Sequence, residues 1–141
     1  MRVSEFFLPD FQIAYKIPLA GSKISAGFPS PADDFQEALL DLNDELIKNP
    51  AATFFVRVCG ESMNDVGIHN NDILIVDRSL EARDGKIVIA VINGELLVKR
   101  LLRKGESLWL IPENSGFPPI KVNEEDDFLI WGVVTSVVHK L

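Results

Sequence analysis

Two aliphatic runs joined by Asn93-Gly94 constrain this chain more than any other feature. Lys86 to Ile92 is short and rich in β-branched residues, and Glu95 to Leu102 follows the dipeptide at once. Asn and Gly both tolerate positive φ, so the dipeptide favours the type I′ turn that joins antiparallel strands. The pair predicts a hairpin. Phe54 to Val58, Ile73 to Val76, Leu108 to Ile111 and Phe128 to Val138 have the same strand character. Helical spacing appears in one place. Leu39, Leu42, Leu46 and Ile47 recur at intervals of three and four between Asp33 and Asn49. Asp41 or Asn43 can cap a short helix there, and Asn49-Pro50 stops it. The expected fold is mostly β, a single compact β-rich domain over residues 33–141 with one short helix.

Residues 1–32 read as an extended, flexible N-terminal arm. Pro9, Pro18, Pro29 and Pro31 break helices, and Gly21 and Gly27 add freedom. Phe6, Phe7, Phe11 and Ile13 are nonetheless apolar, so the arm is expected to pack on something. A length of 141 residues is ordinary for one domain. The net charge of -7 is opposite in sign to a phosphate-binding surface, so no direct nucleic-acid binding is expected, and no anionic membrane. One cysteine, Cys59, rules out an internal disulfide and fits a reducing cytoplasm. Cys59 itself reads as a small buried hydrophobe. The longest nearly apolar run, Phe128 to Val138, is too short for a membrane helix, which needs about 20 residues. A soluble, cytoplasmic protein is expected. One Cys and two distant His offer no ligand pair, so neither metal nor cofactor is expected.

Chemistry centres on Ser62, Lys99 and a peptide bond in the arm. Gly60-Glu61-Ser62-Met63 places a serine on a turn, where it either bonds its own backbone or acts as a nucleophile. Asn64 replaces the second glycine of a Gly-x-Ser-x-Gly elbow, and helices do not alternate with strands, which argues against an α/β-hydrolase. Lys99 shares a strand face with Leu97 and Leu101, but the opposite face is also mostly apolar, so alternation leaves its direction open. Turned inward, its ammonium loses solvation, its pKa falls, and the neutral amine can take a serine proton. His69, with Asp65 and Asp72 nearby, and His139 are alternative bases. The backbone N–H groups of Glu61 and Ser62 are candidates for an oxyanion site. Ala26-Gly27 is a small-residue bond that an extended segment could present to a narrow cleft. Nucleophile, base and cleavable bond in one chain point to a protein that cuts itself.

Gly60-Glu61-Ser62-Met63, Gly67-Ile68, Asp72-Ile73-Leu74-Ile75-Val76-Asp77, Gly94-Glu95 and Val98-Lys99 occur in that order. The set resembles the LexA/UmuD family of serine-lysine autoproteases. Ala26-Gly27-Phe28-Pro29-Ser30-Pro31, Asp41-Leu42-Asn43, Ile111-Pro112-Glu113-Asn114-Ser115 and Trp131-Gly132-Val133-Val134 extend the likeness. It runs over nearly all of the chain from Gly27, while the first twenty-five residues match poorly. Asn71 stands where the family often has glycine, and asparagine tolerates left-handed φ.

The resemblance implies a nucleophile at Ser62, a general base at Lys99 and self-cleavage between Ala26 and Gly27. It implies stimulation by RecA filaments on single-stranded DNA in the SOS response. The product, residues 27–141, would be a homodimeric partner of a UmuC-type DNA polymerase in translesion synthesis. A repressor is disfavoured, since the arm is too short and proline-rich for a helix-turn-helix. A signal-peptidase relative would require a membrane anchor. The alternative from another class is a non-catalytic dimeric interaction scaffold, with the serine and lysine idle.

Overall fold

The computed structural model describes residues 1–9, 16–20 and 37–141, and divides them between two compact units. The larger joins Met1–Pro9 to Asn49–Leu141, and the smaller lies within Asp10–Lys48. In the smaller unit β2 (Lys16–Ala20) pairs antiparallel with β3 (Glu37–Asp41), and α1 (Leu42–Leu46) follows. The Asp41 carboxylate accepts the Asn43 amide at 2.9 Å and caps the helix. The helical spacing therefore marks one short turn of helix. Glu37–Asp41 forms a strand, because pairing with β2 overrides a sequence of good helix formers. Asp33 to Gln36, Gly21 to Ala32 and Asp10 to Tyr15 lie outside the described residues, and with them the bond Ala26-Gly27.

The larger unit contains β1 (Arg2–Phe7), β4 (Thr53–Cys59), β5 (Ile73–Asp77), β6 (Ile87–Ile92) and β7 (Glu95–Lys104). It also holds β8 (Ser107–Ile111), β9 (Ile120–Val122) and β10 (Phe128–Val138). The strand order is β1-β4-β5-β10-β6-β7-β8-β9, and Arg2 of β1 also pairs with Leu97 of β7. That extra pairing closes six strands into a ring, with β8 and β9 continuing outward from β7. The β6–β7 hairpin has the predicted register, Ile92 opposite Glu95, and Asn93 and Gly94 have φ of 49° and 82°. Asn71 likewise takes a left-handed φ of 71°.

Closure explains why both faces of the central strands are apolar. Val56, Val58, Leu74, Val76, Val88, Ile89 and Val98 are all fully buried. Each such side chain contributes about 1.5–3 kcal/mol relative to exposure. Gly132 sits at an irregularity in the pairing of β10 with β6, tight against the end of the neighbouring strand β5. A methyl group there would lie 2.5 Å from Val76 Cγ1 and 3.3 Å from the Asp77 carbonyl, so any side chain at this position forces its neighbours to shift. No helix among the described residues is long and apolar enough to cross a membrane.

Phe6, Phe7 and Leu8, read as arm, behave differently from one another. Phe6 of β1 stacks with Phe54 and Trp131, with ring centroids 5.0 and 5.4 Å away. Phe7 lies under the Arg57 guanidinium, and Leu8 is largely exposed. Glu5 pairs with Arg57 at 3.2 Å, and Arg2 with Glu95 at 3.3 Å. These contacts fasten the first strand along the edge of β4.

Candidate functional site

Ser62 is completely buried at the turn that follows β4. Gly60 starts the turn with φ +105°, a conformation that side chains other than glycine rarely take. Met63 and Ile68, both at 1% exposure or less, pin the turn to the core. Between them a 3-10 turn, Asn64–Val66, ends on Gly67 in the left-handed region. The loop after β8 holds the turn from outside. The Glu113 amide donates to the Ser62 carbonyl at 2.7 Å, and the Asp65 amide donates to the Glu113 carbonyl at 2.8 Å. Asn114 Nδ2 donates to the Glu61 carbonyl at 2.9 Å. Arg100 and Glu113 form an ion pair that joins this loop to β7.

Lys99 points inward. It is opposite Val88 in the β6–β7 hairpin and is 5% exposed. Its Nζ lies 2.5 Å from Ser62 Oγ, a short hydrogen bond between residues carried by the end of β4 and by β7, the two strands that flank the start of β1. Burial lowers the Lys99 pKa below its usual 10.5, and contact with the chain's α-amine partly opposes this. The lysine is thereby moved toward the neutral form that can accept a proton.

A third group completes the cluster. The α-amino group of Met1 also hydrogen-bonds Ser62 Oγ. Met1 is 6% exposed, and its amine pKa falls from 8.0 to about 5, chiefly through burial and then through the neighbouring Lys99. A hydroxyl oxygen has two lone pairs, so Ser62 Oγ can accept from both nitrogens at once.

The alternative bases lie in another cluster. Asp72, 2% exposed, accepts the His69 amide at 2.7 Å and contacts His139 Nδ1 at 2.5 Å. The two imidazole rings are 5.3 Å apart. This arrangement ties the end of β10 to the loop before β5 and does not include Ser62. Cys59 is half-buried, not enclosed, and lines an open depression with Met1, Arg2, Gly60, Glu61 and Phe117.

Sequence reasoning placed Ser62 and Lys99 but assigned no part to Met1, Arg100, Glu113 or Asn114. The run Ile111-Pro112-Glu113-Asn114-Ser115 carried the only signal, as a matched motif without a role.

Residues 18–135 match the family model described as Peptidase S24-like. The chain belongs to the Peptidase S24-like family. Protein ImpA of Salmonella typhimurium is 45% identical over 132 residues, 94% of this chain and 90% of its own length. Protein MucA of Escherichia coli is 43% identical over 136 residues, covering 96% and 92%. The LexA repressor of Acidithiobacillus ferrooxidans is 43% identical over 126 residues, 87% of this chain and 60% of the repressor. Membership of the S24-like family agrees with the resemblance carried by the serine and lysine motifs.

Proposed function

We propose that this chain is a self-cleaving serine endopeptidase that acts once, on its own Ala26-Gly27 bond. The observation that carries the reading is the 2.5 Å contact between two buried groups, Ser62 Oγ and Lys99 Nζ. Neutral Lys99 takes the Ser62 proton while Oγ bonds to the Ala26 carbonyl carbon. The amides of Glu61 and Ser62 hold the developing oxyanion. The intermediate collapses, the bond to the Gly27 nitrogen breaks, and the lysine returns its proton to the leaving amine. Water then hydrolyses the ester and regenerates the serine.

In this reading the protein is a cytoplasmic homodimer of the SOS response. RecA filaments on single-stranded DNA stimulate the cut, and residues 27–141 then serve a UmuC-type translesion polymerase. Similarity to the LexA repressor and to ImpA and MucA supports it. Incubation of purified protein at alkaline pH, followed by intact-mass analysis, tests the chemistry. A fragment beginning at Gly27 is expected from the wild type, and none from Ser62→Ala or Lys99→Ala. A Gly27 fragment from either variant overturns the assignment.

A further inference from the structure

The first strand ends where a substrate must begin. Met1 is wedged between the end of β4 and β7, with its nitrogen on Ser62 Oγ and its carbonyl accepting the Val98 amide at 3.0 Å. Arg2 pairs with Cys59 on one side and Leu97 on the other, and Val3 to Phe7 continue along β4. The strand runs away from the serine with its amino end innermost. That is the placement of the residue on the amine side of a bond that Ser62 has cut.

We propose that this lane between β4 and β7 is a peptide-docking site for the amine side of the cleavable bond, and that β1 occupies it as an internal competitor. The inference rests on the reading of Ser62 and Lys99 as a protease pair. Two segments of the chain then share one site. β1 fills it in the structure described here, and a segment starting at Gly27 fills it during cleavage.

The sequence of the second segment suits such a lane. In an extended strand the N–H groups of residues two apart point to the same side. Pro29 and Pro31 are two apart, so their missing donors fall together on one edge. That edge can face outward while the other pairs with β4. Whatever backbone replaces β1 in the lane must satisfy the Val98 amide, from which the Met1 carbonyl now accepts. A backbone nitrogen fits beside Ser62 only if the Met1 amine has left, so cutting requires β1 to undock.

A disulfide staple tests this. Arg2 is directly opposite Cys59, so Arg2→Cys places two thiols on paired strand positions. A second staple, Glu5→Cys with Arg57→Cys and Cys59→Ser, uses another opposed pair further from Ser62. Bond formation is read as a two-proton mass loss. The expected result is that each oxidised protein cuts about tenfold more slowly, or worse, than the same protein after reduction. Phe6→Ala, which removes the contacts with Phe54 and Trp131, should cut faster than wild type. Equal rates for stapled and reduced protein overturn the shared lane while leaving the protease reading intact. A wild type that yields no Gly27 fragment removes both.

Discussion

Arg100 and Glu113 form an ion pair that locks the strand carrying the lysine to the loop holding the serine. Arg100 follows Lys99 on β7, and the Glu113 amide bonds the Ser62 carbonyl. The separation of the two reactive groups is thus set by a contact outside the reacting atoms. Arg100→Gln should slow self-cleavage by about tenfold, the scale of loss that follows small displacements of a reacting pair. Melting temperature should change little, because a partly exposed ion pair contributes only about 0–1 kcal/mol. Single-turnover rates beside thermal melts check both halves.

Lys99 gives the reaction its pH dependence. Its pKa lies below 10.5 because burial disfavours the ammonium. The rate should climb with pH and reach its plateau below the value for a free lysine. The sign for stability is the same. The unfolded chain binds the proton more tightly than the folded one, so folding is penalised as pH falls from 10.5 through the folded pKa. Lys99→Met should abolish cutting and flatten this part of the stability profile, as measured by denaturant unfolding across pH.

The Met1 amine predicts a second linkage, at lower pH. Its pKa is about 5 when docked and 8.0 when free. Docking must therefore expel a proton between those values, so β1 binds more firmly as pH rises toward 8 and loosens as it falls toward 5. Hydrogen exchange at the Arg57 amide, which lies on the β4 edge facing β1, should become faster at pH 5 than at pH 8 once intrinsic rates are divided out. Protection unchanged across that window would contradict the assignment.

Gly132 tests the close packing of β10 against β5. Gly132→Ala sets a methyl 2.5 Å from Val76 Cγ1, inside a packed core with the Asp77 carbonyl behind it. Overpacking of this kind costs about 1–3 kcal/mol. Loss of thermal stability without loss of the Ser62–Lys99 contact is the expected outcome, checked by calorimetry and by residual cutting at low temperature.

The β6–β7 hairpin was legible because Asn93-Gly94 sets the turn and the register within a few residues. The direction of Lys99 was not. Leu97, Val98 and Leu101 are all buried, since ring closure covers both faces of β7, and alternation carries no signal there. β1 was read as arm because Pro9, Pro18, Pro29 and Pro31, with Gly21 and Gly27, mark residues 1–32 as irregular. Its strand state depends on pairing with residues 48 to 57 positions away, and nothing local encodes that. β9, three residues long, owes its existence to β8 in the same way. The turn at Ser62 was read from Gly60, but the Glu113 and Asn114 contacts that hold it are non-local and were invisible.

The linkage of β1 to the rest of the chain has a final consequence. The strand lies upstream of Ala26-Gly27, so the proposed cut would sever it from the domain that it completes. While tethered, such a strand re-enters its slot at an effective concentration of the order of millimolar. As a free peptide it would rebind only at its bulk concentration, which dilution lowers without limit. One hydrolysis would thus turn a reversible intramolecular closure into a dissociable two-piece assembly, acting as a ratchet that keeps the vacated β4 edge available to another strand.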